Sequence, residues 1–220
     1  MKTALIAGAT GLTGSNLLPL LLESEDYQKV YVLSRRPIEI DHPKAELILS
    51  DFSNLAQDIP DTTIDDVFCC LGTTIKTAGS KEAFRQVDYH HCLEVATQSL
   101  ARGASHFLVI SALGANPKAL SFYSKTKGEL ENALKSLDYS SLTILQPSLL
   151  DGERTEHRSA EELSLKILRP FKSITEKIIP RYAPISVQEV AATLFYCATH
   201  SKPGLDVIES DQIRDIARRT

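Results

Sequence analysis

Hydrophobic residues in the first two-thirds of the chain fall into short runs of strand length, separated by stretches with helical periodicity. The runs are almost continuously apolar rather than alternating, which is typical of strands that are covered on both faces. They occupy residues 3–8, 29–34, 45–50, 66–72, 106–111 and 141–146, and the clearest helical patterns occupy 82–101 and 121–137. Strands that alternate with helices in this way predict an α/β fold built on a doubly wound parallel sheet.

The pattern weakens in the last third of the chain. Residues 151–162 are polar, 163–179 have an amphipathic helical pattern, 185–200 predict a helix and 205–210 a last strand. No internal repeat or low-complexity linker interrupts the sequence, so it predicts a single domain over 1–220. Within it we expect a core at about 1–150, a small substrate lid at about 151–184, and a return helix with the last strand at about 185–220.

Composition and charge exclude several classes of function. The chain has 220 residues, of which 43% are hydrophobic, and its formal net charge is −4 without a basic stripe, which argues against nucleic-acid binding. The four cysteines lack the spacing of a metal or redox site, and no apolar run is long enough for a membrane span. The N-terminal residues lead directly into a glycine-rich stretch, so we expect a strand rather than a signal peptide, and a cytoplasmic protein without a metal.

The stretch "IAGATGLTG" places three glycines at the junction of the first strand and the first helix, with the spacing G-x-x-G-x-x-G. Glycines let the backbone approach a pyrophosphate, and a helix N-terminus offers unpaired N–H groups and partial positive charge. In this context the stretch predicts dinucleotide binding by Gly8, Thr10, Gly11, Leu12, Thr13 and Gly14. Pro19 falls inside the predicted helix, where we expect a kink.

The end of the second strand predicts which dinucleotide is bound. NAD sites usually carry a carboxylate here for the ribose 2′-hydroxyl, whereas this chain has Ser34, Arg35 and Arg36. A guanidinium binds a 2′-phosphate by paired, charge-assisted hydrogen bonds, so the cofactor predicted is NADP(H). We also expect the ends of the third and fourth strands to contact it, through Asp51 and Phe52 beside the adenine and Leu71, Gly72 and Thr73 along the cofactor.

A Tyr-x-x-x-Lys pair, Tyr123 and Lys127, opens the helix after the fifth strand, and Ser111 stands at the carboxyl end of that strand. The motif arises readily by chance, but ligands of open α/β sheets bind at this edge. Reduction of a carbonyl leaves an alkoxide that must be protonated, and a neighbouring ammonium makes tyrosine a better acid–base group. The three residues therefore predict a catalytic set in which Ser111 binds the substrate oxygen.

These motifs together, with "CLGTT", "AFRQVD" and "SALGAN", resemble atypical short-chain dehydrogenase/reductases, most closely the oxidoreductases similar to the human Tat-interactive protein and their bacterial relatives. The resemblance implies a Rossmann fold, bound NADPH, catalysis by Ser111, Tyr123 and Lys127, and a turn at Pro147 and Ser148 against the nicotinamide. Many such reductases have a fourth catalytic residue, an asparagine. Here the nearest match is Asp88, which puts a full proton relay in doubt.

Three functions stay open. The first is an NADP(H)-dependent oxidoreductase that acts on a small carbonyl or hydroxyl compound. The second is a non-catalytic NADPH-binding regulator, and the third is a nucleotide-sugar epimerase or dehydratase, for which about seventy residues after the sixth strand leave little room. The expected partner is a small molecule rather than a nucleic acid or a membrane, and the chain is expected to be a homodimer or a monomer.

Overall fold

The strands form one parallel sheet of seven and a separate parallel pair. The computed structural model describes residues 1–151 and 180–219. The strands are β1 (Lys2–Ala7), β2 (Tyr27–Ser34), β3 (Ala45–Leu49), β4 (Asp66–Cys69), β5 (His106–Ile110), β6 (Ser141–Gln146), β7 (Leu150–Asp151), β8 (Ile185–Ser186) and β9 (Gly204–Glu209). The large sheet has the order β3-β2-β1-β4-β5-β6-β9, and β7 pairs with β8. Strand order reverses at β1, so the crevice at its carboxyl end is where such sheets bind ligands.

Helices cover both faces of the sheet. They are α1 (Leu12–Glu23), α2 (Leu55–Asp58), α3 (Ile75–Ala78), α4 (Lys81–Arg85), α5 (Cys92–Leu100), α6 (Phe122–Lys135), α7 (Val187–Thr199) and α8 (Ser210–Ala217). A π-helical turn, Gln86–His91, joins α4 to α5 without a break, and a 3₁₀ turn covers Pro180–Tyr182. Among the helices of the described residues, none is long and apolar enough to cross a bilayer.

The inner strands β1, β4, β5 and β6 are almost entirely buried because their side chains contribute to two cores. In β1, Leu5 and Ala7 join the core beneath α5 and α6, whereas Ala4 and Ile6 join the core beneath α1 and α7. All four are fully buried. Each buried leucine or isoleucine stabilises the fold by about 1.5–3 kcal/mol, so the two-sided pattern holds the helices on both faces.

The predicted Rossmann-type α/β fold is confirmed, with differences in detail. The fourth strand ends at Cys69, because the chain turns where the backbone of Cys70 packs against Gly8. The helix expected at 82–101 contains the π turn. Helix α1 runs through Pro19, which is exposed, so water can replace the hydrogen bond that proline removes. Most of the expected lid at 151–184 lies outside the described residues.

Candidate functional site

The glycine stretch brings β1, the start of α1 and the end of β4 into close contact. Gly8 has a φ of +88°, and a Cβ atom there would lie 2.7 Å from the carbonyl carbon and oxygen of Cys70. A Cβ on Gly14 would overlap the carbonyl oxygen of Gly8. Within the described residues no side chain caps α1, and its first turn contains no acidic residue. This arrangement fits a pyrophosphate, because free N–H groups and the positive end of the helix dipole are presented without a competing anion.

A small cavity of about 90 Å³ lies in front of this helix N-terminus. The glycine loop, the loop after β4, the end of β5 and helix α6 all contribute to its wall. Its lining residues are Gly11, Leu12, Thr13, Cys70, Leu71, Gly72, Thr73, Asp88, Ile110, Ser111, Tyr123, Lys127 and Leu150. Residues from the predicted cofactor loops and from the predicted catalytic set therefore meet in one crevice.

Lys127 is buried at the base of this cavity and is paired with Asp88. Its Nζ lies 2.8 Å from Asp88 Oδ1 and 3.4 Å from the carbonyl oxygen of Ile110, and the lysine is 3% exposed. Asp88 Oδ2 also accepts a hydrogen bond of 2.8 Å from the Thr73 amide. Burial alone would lower the pKa of Lys127, but the charge of Asp88 outweighs it and raises the pKa, so the ammonium keeps its proton.

Ser111 has a buried carboxylate behind it. Its hydroxyl donates a hydrogen bond of 2.5 Å to Oε1 of Glu131, which also accepts one of 2.8 Å from Gln146 Nε2. Glu131 is 4% exposed, and Lys135 Nζ lies 3.6 Å from its second oxygen. Glu131 therefore fixes the orientation of the serine hydroxyl, because a charge-assisted hydrogen bond restricts its rotation.

A larger cavity of about 680 Å³ adjoins the small one. Its wall is mainly apolar, and its lining includes Ile75, Ala112, Leu113, Leu149, Leu150, Tyr123 and Tyr182, with Thr74, Ser111, Pro147, Ser148, Lys76 and Arg181 as further members. Arg181 is held by a double contact with Glu209, at 2.6 and 2.7 Å. Ser111, Tyr123 and Leu150 line both cavities.

A third group of predicted residues lies at the ends of β2 and β3, outside both cavities. The ring of Phe52, which has a φ of +68°, stacks on His91 with a centroid separation of 4.6 Å. Burial, followed by the charges of Arg35 and His90, lowers the pKa of His91 against the opposing effect of Asp51, so these four side chains share one electrostatic environment. The guanidinium groups of Arg35 and Arg36 are exposed. Phe52 is 8% exposed, so the half-buried His91 ring and the exposed arginines are the groups here that can meet an adenosine phosphate.

Several residues of the site were not predicted. The sequence indicated Asp88 only as a departure from the asparagine of the family. It did not predict that His91 lies near Arg35. Glu131 lies four positions after Lys127, so the i, i+4 spacing that links Tyr123 to Lys127 could have identified it. No sequence signal pointed to Arg181, because it reaches the cavity from a separate part of the chain. In the part of the chain that the structure describes, no cluster of three side chains could hold a metal ion.

Comparison with known proteins identifies the family. A model of the family described as NAD(P)H-binding matches residues 8–201. The chain belongs to this family. Protein FMP52, mitochondrial, of Candida glabrata is 32% identical over 191 residues, which cover 86% of this chain and 82% of that protein. Protein HTATIP2 of Rattus norvegicus is 30% identical over 221 aligned residues and covers 99% and 90% of the two chains. The predicted resemblance to atypical short-chain dehydrogenase/reductases is thereby confirmed.

Solved structures agree on the fold of this NAD(P)H-binding chain. WbmH of Bordetella bronchiseptica in complex with NAD+ has a TM-score of 0.71 at 17% identity, covering 99% of this chain and 80% of that one. A short chain dehydrogenase family protein from Francisella tularensis has a TM-score of 0.66 at 16% identity, with coverages of 94% and 97%. At these identities the likeness shows the fold alone.

The expectation of a cytoplasmic protein was wrong. Four FMP52 relatives from different yeasts, at 28–36% identity, are named as mitochondrial proteins. The sequence argument rested on the first residues, which form β1. A strand at the N-terminus describes how those residues fold and says nothing about where the protein resides.

Proposed function

We propose that this chain is an NADP(H)-dependent oxidoreductase that acts on a carbonyl or hydroxyl compound. The observation that carries the proposal is the wall shared by the two cavities. Ser111 and Tyr123 line both the small cavity beside the glycine loop and the larger apolar one. A cofactor in the first and a substrate in the second would meet at these two hydroxyl groups.

NADP(H) is the proposed cofactor, and the end of β2 supports it. Ser34 replaces the carboxylate that would repel a 2′-phosphate, and Arg35 and Arg36 are exposed beside it. A guanidinium–phosphate contact of about 2–3 kcal/mol corresponds to a preference of roughly 30- to 150-fold over NAD(H). Lys127 would hold the nicotinamide ribose, and Phe52 would border the adenine.

In the proposed reaction the bound cofactor supplies hydride to the substrate carbon. Tyr123 donates its phenolic proton to the substrate oxygen, and Ser111 would donate to the same oxygen after its hydroxyl turns away from Glu131. Lys127 lines the small cavity together with Tyr123, and its partner Asp88 keeps it charged. A substrate that fills the apolar cavity would displace water from it, which would strengthen these polar interactions.

The substrate proposed is a largely apolar compound with one reactive oxygen. A cavity of about 680 Å³ lies within the range that accommodates drug-sized ligands. Its aliphatic and aromatic wall favours a hydrocarbon body, and the hydroxyls of Ser111 and Tyr123 are polar groups at the end nearest the cofactor cavity.

Calorimetry with NADPH and NADH, followed by an absorbance screen at the nicotinamide band against mixed aldehydes and ketones, tests this function. Tyr123→Phe is expected to lower turnover at least 100-fold, because general acid catalysis is lost, while the NADPH affinity changes less than threefold. Tyr196→Phe is the matched control, since Tyr196 stacks on His200 away from both cavities. Equal affinity for both nucleotides would refute the NADP(H) preference.

A non-catalytic NADPH-binding regulator is the second candidate. The ion pair between Lys127 and Asp88 favours it, because a compensated lysine is less able to activate Tyr123. The regulator predicts tight NADPH binding that Arg35→Ala weakens, with no turnover of any carbonyl in the screen. The epimerase alternative receives no separate support, because the structural likeness to sugar-nucleotide enzymes is at 14–17% identity.

A further inference from the structure

Asp88 occupies an unusual position in the backbone. It lies within the π-helical turn Gln86–His91, and π turns often occur at functional sites. The extra residue in such a turn changes which side chains face inward. In this turn the side chain that faces inward is that of Asp88. Asp88 is 1% exposed, its Oδ1 lies 2.8 Å from Lys127 Nζ, and its Oδ2 accepts from the Thr73 amide. The carboxylate therefore ties the candidate catalytic lysine to the loop that lines the cofactor cavity.

This pairing changes the electrostatic effect of Lys127 on Tyr123. A lone ammonium beside a phenol favours the phenolate. Lys127 interacts electrostatically with Tyr123, and a carboxylate in contact with the ammonium opposes its effect because the negative charge acts on the phenol with the opposite sign. Both partners are buried, so water screens neither of them.

We propose that Asp88 is a positioning residue that keeps Tyr123 protonated at neutral pH by compensating Lys127, so that the resting site holds the protonated form from which carbonyl reduction begins. The inference rests on the proposed function and specifies the protonation state of its acid–base group. In reduction the substrate carbon accepts hydride from the reduced nicotinamide and the carbonyl π electrons move to oxygen. The O–H bond of Tyr123 breaks, its proton passes to that oxygen, and the phenolate regains a proton from water. Oxidation needs the phenolate at the outset.

Other ionisable groups among the described residues face the same region. Cys70 lines the small cavity, and burial raises the pKa of its thiol to about 12, so it stays neutral. Cys92 lies near Lys127, and its hydrogen bond to Cys69 together with burial raises the pKa of its thiol as well. Lys76 and Arg181 line the larger cavity from exposed positions, where solvent weakens their effect. Glu131, the other buried carboxylate of the site, is held by Ser111, Gln146 and Lys135, whereas Asp88 is in direct contact with Lys127.

The test is a titration of Tyr123 that needs no substrate. Tyrosinate absorbance is measured against pH for the wild type and for Asp88→Asn, each corrected by its Tyr123→Phe counterpart, which isolates one of the seven tyrosines. Asparagine keeps the size of Asp88 and an acceptor for the Thr73 amide but removes the charge. The pKa of Tyr123 is expected to fall by on the order of one to two pH units in Asp88→Asn.

Glu129→Gln is the matched control. It removes a negative charge from α6, the helix that carries Tyr123 and Lys127. Glu129 pairs there with Arg85 and lies 4.0 Å from Lys125 on the outer side of the helix. A tyrosine shift in Asp88→Asn that is no larger than in this control overturns the inference. Should Asp88→Asn fail to fold, Asp88→Ser removes the same charge and keeps a hydrogen-bond acceptor, and the same comparison decides.

Calorimetry with NADPH on the wild type separates the two proposals. Absence of NADPH binding refutes the proposed function whatever the tyrosine titration gives. Binding of NADPH together with an unchanged tyrosine titration in Asp88→Asn refutes the role of Asp88 alone.

Discussion

Two buried aspartates, each paired with a lysine, lie at opposite edges of the same sheet, and they differ in how their polar atoms are satisfied. At the carboxyl edge, Asp88 pairs with Lys127 next to a cavity. At the amino edge, Asp66 at the start of β4 accepts hydrogen bonds from Tyr27 Oη at 2.7 Å and Lys2 Nζ at 3.0 Å, and His106 Nδ1 lies 3.6 Å away. None of these amino-edge residues lines either of the two cavities.

The difference in partners is the basis on which we assign a structural role to the Asp66 pair and propose a functional role for the Asp88 pair. Asp66 has several partners, so the loss of any one of them leaves others in place. These partners come from β1, β2 and β5, and their contacts with Asp66 connect those strands to β4. Lys127 depends mainly on Asp88, and the free volume beside it leaves space for a ligand. A buried charge with few protein partners next to a cavity is available for chemistry, whereas one with many partners stabilises the fold.

The largest expected effect comes from removing the lysine of each pair. Lys127→Met leaves Asp88 as a buried charge without its cation, so the free energy of unfolding should fall by about 3–5 kcal/mol. Lys2→Met should lower it by less than about 1 kcal/mol, because the Lys2 side chain is 40% exposed and Asp66 keeps Tyr27. Urea denaturation of both variants measures the contrast. Equal losses would show that the two pairs do not differ in the way described.

A smaller effect is expected for Tyr27→Phe. Its hydroxyl is a fully buried donor to the Asp66 carboxylate, so its removal should lower the free energy of unfolding by about 1.5–3 kcal/mol. NADPH affinity should stay within twofold of the wild type, since the amino edge is remote from the glycine loop. Denaturation and calorimetry on the same preparation test both parts, and a changed affinity with unchanged stability would contradict the structural role.

The pH dependence of stability sharpens the comparison further. Burial alone would raise the pKa of Asp66, but the contacts from His106, Tyr27 and Lys2 outweigh it and hold the pKa below its ordinary value of 3.8. Because the folded-state pKa is the lower one, the stabilisation is complete above about pH 5 and is lost as the pH falls through the folded-state value. The difference in unfolding free energy between wild type and Asp66→Asn should therefore shrink on acidification. A difference that stays constant from pH 6 to pH 2.5 would be inconsistent with this linkage.

Much of the fold followed from local patterns. The seven strands of the large sheet lie close to the predicted positions. For the inner strands β1, β4, β5 and β6 the reason is that burial on both faces requires mainly apolar residues. The glycine stretch was also readable, since a φ of +88° at Gly8 and the close packing at Gly14 exclude other residues. The π turn was not readable, because residues 81–100 keep a helical pattern throughout.

The partners of the candidate catalytic residues could not be predicted in the same way. Ser111 meets Glu131 across twenty residues, and Lys127 meets Asp88 across thirty-nine. His91 stacks on Phe52 across thirty-nine residues. Each of these contacts joins two elements that are far apart along the chain, and no periodicity in the sequence indicates that they meet.

The sequence by itself determined the elements, the nucleotide-binding turn and the positions of Ser111, Tyr123 and Lys127, because backbone conformation and burial leave local, periodic traces in residue choice. Only the tertiary structure decided which carboxylate faces which hydroxyl or ammonium, since those distances depend on how α5 and α6 pack on the sheet. Charges act through space over a few ångströms, so the chemistry of the site depends on that packing and not on order along the chain.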